Sequence, residues 1–430
     1  MRETIRHTLE NPALFKQQLL QWSQQFRAIA FLDSNNFLQK YTSYGCIVAV
    51  DAFTSLQTDY SNAFEELKEY QEKIGDYIFG HLSYDLKNAT ENIKSSNFDG
   101  LGFSDLHFFQ PKKIFKIQDS ELVMSYLFLC NDELQSDFEE ILSEKINLDS
   151  ANKVSDLSIQ ARISEENYLA KASKVLEHIQ RGDIYEMNLC MEFFAENAKI
   201  DPFQIYQNLN EISQPPFAAF YKLNDKYCLC ASPERYIRRE NNKIISQPIK
   251  GTAKRGLEII EDNAIKNLLS QNEKERSENI MIVDLVRNDL SKTAVKSSVE
   301  VEELCQMYTF KQVHHLISTV VSEVDSATSG AEIIRTTFPM GSMTGAPKLS
   351  AMEIIEKYEE TKRGLYSGSI GYFEPNGDFD FNVVIRSILY NKTAKYVSFS
   401  VGSAITAASV SALEYEECLL KANAMRQVLQ

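Results

Sequence analysis

The chain has 430 residues, enough to bury one large core or two intimate ones, and its 43% hydrophobic and 24% charged residues are those of an ordinary globular protein. A net charge of −15 with no compensating basic stripe excludes nucleic acid or an anionic membrane surface as the main partner. No apolar run approaches the roughly eighteen residues that cross a bilayer, and the first residues (MRETIRHTLENPALFKQQ) lack the apolar core of an export signal. The seven cysteines (Cys46, Cys130, Cys190, Cys228, Cys230, Cys305, Cys418) lie scattered in apolar segments, in neither C-x-x-C nor zinc spacing. Reduced core thiols and a cytoplasmic location are therefore expected.

Along the chain, 28–32, 45–50, 77–79 and 122–129 read as strands, and 14–22 and 64–74 as amphipathic helices. Residues 131–165 are acidic and serine-rich and read as a connector whose first part suits a surface helix. This divides the chain into an N-terminal region over 1–150 and a motif-dense region over 160–430. In the second, 166–180 reads as a helix ending at Arg181-Gly182, with strands near 188–194, 218–221 and 227–231. Hairpins turn at Asn241-Asn242 and at Pro375-Asn376-Gly377. Strands in hairpin runs, rather than in strand–helix alternation, predict an α+β fold with antiparallel sheets flanked by helices.

Lys250, between Ile249 and Gly251-Thr252, follows the first hairpin, whose leading strand begins just after Glu234. The two could face one pocket, and a partly desolvated lysine would have a lowered pKa and a nucleophilic free amine. Two Glu-x-x-Glu pairs, Glu275/Glu278 and Glu414/Glu417, lie in helical sequence, which puts each pair on one face, with Lys421 one turn past Glu417. Four carboxylates from two helices suit a hard cation such as magnesium, and equally suit solvated helix faces. GSMTGAPK (341–348) before an amphipathic helix, and Gly402-Ser403-Ala404 at a strand end, offer backbone amides to an anion, but the nucleotide-binding G-x-x-x-x-G-K-[ST] spacing is absent. Arg386 lies on the alternating strand FNVVIRSI, an odd place for a charge unless it is paired or faces a ligand, and His314 and His315 must point opposite ways on a strand. No Ser-His-Asp or Cys-His hydrolase arrangement is visible.

In order, GDIYEMNL, SPERY, QPIKGT, ERSENIMIVDLVRNDL, VHHLIS, GSMTGAPK, RGLYSGSIGYF, VVIRS and GSAIT…EYEE…KA resemble the chorismate-utilising enzymes over about 182–424. That family comprises anthranilate and aminodeoxychorismate synthase components I and the isochorismate and salicylate synthases. The first 130 residues resemble it more loosely, at FRAIAFLDS, GCIVAVDA and FGHLSYDL. The resemblance implies two antiparallel sheets packed as a sandwich among helices. It implies magnesium held by Glu278 and Glu417, with Glu275 and Glu414 holding the metal's waters. Substrate carboxylates would meet Arg386, Tyr366, Lys421, Ser342 and amides near Gly402 and Ala404, and His315 would approach the ring hydroxyl.

Within the family, anthranilate synthases carry alanine where Lys250 stands, and lysine there resembles the aminodeoxychorismate synthase branch of para-aminobenzoate and folate biosynthesis. Isochorismate and salicylate synthases carry a lysine base at the position of Glu186, and the usual string elsewhere is GDIYQVNL, so Glu186 departs from both patterns. The chemistry implied is addition of Lys250 to chorismate as Glu234 protonates the departing hydroxyl, then displacement by ammonia from a separate glutamine amidotransferase subunit. The rival readings are an anthranilate synthase or other chorismate-converting enzyme, and a catalytically inert regulatory subunit.

Overall fold

The computed structural model describes residues 1–37, 40–42, 44–146, 157–311 and 313–430. Every strand pairing among them is antiparallel, with one isolated parallel bridge between Phe98 and Thr361. The long strand Leu106–Gln118 is the hub: it pairs with Cys46–Thr58, Ile78–Leu82 and Glu121–Leu127, and two arms of sheet diverge from it. One arm runs through Cys46–Thr58, Ala28–Asp33, Phe217–Leu223, Lys226–Ser232, Ser387–Asn391, Tyr396–Thr406 and Glu186–Ala195. The other runs through Ile78–Leu82, Ser369–Phe373, Phe379–Asn382, Arg235–Glu240, Lys243–Gln247 and Val313–Glu323, which also pairs with Ile249–Lys254 and Glu300–Thr309.

The arms pack through one apolar cluster that mixes Ala30, Ala219 and Leu389 of the first with Ile78, Ile237 and Phe381 of the second. Across it the Tyr221 hydroxyl meets Nδ1 of His81 at 3.1 Å and of His107 at 2.6 Å, the pairing a buried phenol requires. The outer face of the first arm carries the helices Pro12–Ser23, Glu165–Arg181, Pro202–Ser213 and Ser411–Leu429 in a second cluster. The antiparallel α+β fold is thus what the hairpin runs implied, and the sandwich what the family resemblance implied. All seven cysteines are free and buried, and no helix is long and apolar enough to cross a membrane.

Most expected elements are present within a residue or two. The helix over 166–180 spans Glu165–Arg181 and stops at Gly182, whose φ of 83° is the left-handed cap. The connector begins with a helix, Leu134–Ser143, as its sequence suggested, while 147–156 lie outside the described residues. Leu106–Gln118 and Arg2–Thr8 are strands that the pattern did not mark, and the strand read over 45–50 runs on to Thr58. The strand expected over 122–129 ends two residues early, at Leu127. The apparent strand around Arg386 is broken: Phe379–Asn382 and Ser387–Asn391 belong to different arms, and Arg386 between them has φ 53°.

Candidate active site

Two crossings between the arms build the site. The chain passes from the first arm to the second between Lys226–Ser232 and Arg235–Glu240, with Glu234 in the gap. It returns between Phe379–Asn382 and Ser387–Asn391, with Arg386 in that gap. The crossings run side by side: the Val383 amide donates to the Glu234 carbonyl at 3.0 Å, and the Ala231 amide to the Arg386 carbonyl at 3.2 Å. A left-handed backbone costs a residue with a Cβ about 1–2 kcal/mol. The crossing accepts it at Arg386, whose side chain enters a cavity between the arms.

Glu234, Lys250, His315, Arg386, Tyr366, Lys421, Ser342 and Gly402 all line that cavity. Lys250 comes from Ile249–Lys254, where the register against Val313–Glu323 slips at Gly251 (φ 87°), a conformation glycine adopts without strain. Gly402 leaves room for Cys190, since a Cβ there would stand 2.5 Å from the Cys190 Sγ and push that side chain aside. Ala404 does not line the cavity; it lies two residues along the same strand, opposite Asn188. The cavity wall also includes Asn188, Thr252, Met343, Ile385 and Val401, which the sequence reading did not single out. Asn188, Thr252, Met343 and Ile385 do sit inside the quoted motifs, and that was the available signal.

Electrostatics separates the roles. The Arg386 guanidinium has neither a hydrogen bond nor an ion pair among the described residues, and burial lowers its pKa. A cation without a side-chain partner, facing a cavity inside a −15 protein, is suited to meet an anion. Glu234 is 4% exposed; burial lifts its carboxyl and Ser342 and Lys250 pull it partly back, leaving it at about 7, where a carboxyl can give a proton. Burial and then Arg386 lower His315 to about 3, so its ring is neutral, with Nδ1 2.9 Å from the Thr252 hydroxyl. His314 points the other way, to Asp262 at 2.8 Å, as strand alternation required.

Lys250 departs from expectation. Burial does push its pKa down, but Glu186, Glu278 and Glu417 outweigh burial and raise it above the ordinary lysine value. Its Nζ stands 2.9 Å from the Glu186 Oε1, so the resting side chain is an ammonium ion. The GSMTGAPK segment also differs: it gives Ser342 and Met343 to the cavity wall. Its Lys348 turns away to Asp289 at 2.5 Å and to the carbonyls of Pro339 and Thr337.

Beside the cavity, Glu273–Ser291 carries Glu275 and Glu278 and Ser411–Leu429 carries Glu414 and Glu417. Lys274, also unmarked in the sequence, bridges the helices, 2.9 Å from Glu414 and 3.7 Å from Glu278. Glu414 also accepts from Ser403, and Glu417 pairs with Lys421 at 2.6 Å. Among the described residues no three carboxylates, histidines or cysteines form a ready cation cage. The Oε1 of Glu278 is nonetheless buried without a hydrogen bond. Burial, opposed by Lys250 and reinforced by Glu186, lifts that carboxyl to about 7. Burial and Glu417 likewise raise Glu275. Such a donor set suits a hard cation that keeps part of its water shell.

The chorismate binding enzyme family matches residues 27–427. The chain is 34% identical to the anthranilate synthase component I-like protein of Synechocystis sp., over 82% of its own length and 72% of the relative's. It is 33% identical to aminodeoxychorismate synthase component 1 of Bacillus subtilis, over 88% and 80%. Its fold superposes on anthranilate synthase component I from Streptococcus pneumoniae with a TM-score of 0.79 at 25% identity, covering 90% and 93% of the two chains. The chain belongs to the chorismate-binding enzymes.

Proposed function

We propose that this enzyme is the chorismate-aminating component of an aminodeoxychorismate synthase, converting chorismate and ammonia to 4-amino-4-deoxychorismate. The observation that carries the reading is Lys250 itself: an amine inside the cavity, facing the space that Glu234 and Arg386 also line, where the anthranilate branch resembled above carries alanine. The Bacillus subtilis aminodeoxychorismate synthase component 1 supports it, and its being one component supports a separate subunit as the ammonia source, which we take to be a glutamine amidotransferase.

Arg386, Tyr366, Lys421, Ser342 and the amides at Gly402, with Ala404 behind them, receive the substrate's carboxylates. Glu278 and Glu417 would hold magnesium with Glu275 and Glu414 on its waters, and the ion would neutralise carboxylate charge. Neutral His315 orients the ring hydroxyl, and Glu234 protonates it as it leaves, the step hydroxide cannot make unaided. Lys250 adds to the ring carbon next to the carboxylate-bearing one; ammonia then adds at the vacated carbon and the lysine departs. The test is product analysis of the purified chain with chorismate, magnesium and ammonium at raised pH. The expected product yields 4-aminobenzoate only after a lyase is added. Anthranilate, or 4-aminobenzoate without a lyase, would overturn the assignment.

A further inference from the structure

We propose that Glu186 is a catalytic residue, the proton acceptor that converts Lys250 from a resting ammonium into a nucleophilic amine. The inference rests on the reading of Lys250 as the nucleophile. Glu186 opens the strand Glu186–Ala195 and is wholly inaccessible. Ala346 pairs with it, and a Cβ at neighbouring Gly345 would collide with its backbone oxygen, so the two strands are pressed together there. Its Oε1 stands 2.9 Å from the Lys250 Nζ, yet neither carboxylate oxygen is engaged in a well-directed hydrogen bond among the described residues. Structural buried carboxylates are normally held by several donors. A buried carboxylate this close to the nucleophile's nitrogen, with no well-directed donor among the described residues, has the placement of a base.

The resting ammonium must lose a proton before it can attack. Beyond Glu186, Lys250 lies near Glu275 and Glu278 from one helix and Glu417 from the other, with Glu234 on the same cavity wall. Glu186 is the carboxylate within hydrogen-bonding distance of it. Proton transfer from Nζ to Glu186 leaves a neutral amine beside a neutral acid, and exclusion of water by substrate favours that uncharged pair. The amine's electron pair then forms the N–C bond, both conjugated ring double bonds shift one position round the ring, and the C–O bond breaks with its pair leaving on oxygen, which takes the Glu234 proton and departs as water. When ammonia adds at the vacated carbon, both double bonds shift back and the electrons of the Lys250–carbon bond return to nitrogen. Glu186 gives its proton back to Lys250, and the new ammonium reprotonates Glu234. Chorismate and ammonia become aminodeoxychorismate and water, with each acid restored.

The experiment measures the single-turnover rate of covalent attachment to Lys250, by rapid quench with chorismate and magnesium between pH 6 and 9. It compares the full chain with Glu186→Gln and Glu186→Asp. With its own base, the unaltered enzyme should depend weakly on pH on the acid side. Glu186→Gln must wait for bulk solvent to deprotonate the lysine, so its rate should be lowest at pH 6, rise about tenfold per pH unit toward pH 7, and level off above it as Glu234 loses its proton, while the unaltered enzyme falls there. Glu186→Asp should keep the shallow profile at a reduced rate. A Glu186→Gln profile parallel to that of the unaltered enzyme, at whatever absolute rate, would overturn the inference and leave Glu186 a spacer. If the unaltered enzyme aminates chorismate and only this comparison fails, the proposed function stands. If it does not aminate chorismate, both fall.

Discussion

Replacing Glu234 by glutamine should separate stability from activity. The carboxyl is 4% exposed and raised from the ordinary 4.5 to about 7, chiefly by burial. At 1.36 kcal/mol per tenfold, that displacement corresponds to about 3 kcal/mol of unfavourable ionisation in the folded state. The pKa is raised on folding, so the penalty is absent below 4.5, where both states are protonated. It grows as pH rises from 4.5 to 7, because the unfolded state ionises first, and is constant above 7. Glu234→Gln should therefore match the unaltered enzyme's stability near pH 4.5 and exceed it by up to about 3 kcal/mol at pH 8. With about 2.1 cal/mol/K of unfolding entropy per residue over 430 residues, that is a rise in Tm of about 3–4 °C. The same variant should lose amination and the fall in kcat/KM centred near pH 7 that marks a protonated acid. Differential scanning calorimetry at pH 4.5, 6 and 8 is the assay. An equal change at all three pH values, or a loss of stability at pH 8, would refute the claim that Glu234 is a buried acid.

Arg386→Ala removes a half-buried guanidinium whose charge-assisted hydrogen bonds to a carboxylate are worth about 1.5–3 kcal/mol, so kcat/KM should fall by about 10–150-fold, measured by steady-state kinetics, with the fold retained. Glu278→Gln and Glu417→Gln should each abolish turnover, whereas Glu275→Gln and Glu414→Gln should cost about 10–100-fold, and full turnover after thorough chelation would contradict a magnesium role. His315, with its pKa depressed to about 3 by burial and Arg386, should show no ring titration by NMR between pH 5 and 9. The purified chain should use ammonium and not glutamine, and efficient glutamine use by the chain alone would contradict a separate ammonia source.

How much of this was legible in the sequence follows the range of the interactions. Local signals worked: the helix stop at Gly182, the hairpin turns, and the one-faced carboxylate pairs that two helices do bring to one cavity edge. The hub strand was hidden because Pro111, Lys112 and Lys113 break its apolar pattern. In the fold, Pro111 faces Ala52 beside a register shift, and Lys113 is buried against Asp137 at 2.5 Å. The left-handed turn at Arg386 follows from the chain changing arms, which the alternation of FNVVIRSI cannot report. The charge of Lys250 was misjudged for a similar reason. Burial was readable from its neighbours in sequence, but Glu186 and the helix carboxylates that outweigh it arrive from distant segments.

Covalent capture on Lys250 tests the account at its centre. Intact-protein mass spectrometry after incubation with chorismate and magnesium, without ammonia, should show the enzyme heavier by one substrate less one water. Peptide mapping should place the addition on 248–252, and Lys250→Ala should abolish it. Lys250→Arg should be inactive, because a guanidinium stays protonated and cannot attack. An aminating enzyme that forms no adduct, with Lys250→Arg keeping substantial activity, would contradict the nucleophile and leave Lys250 a charge-balancing group.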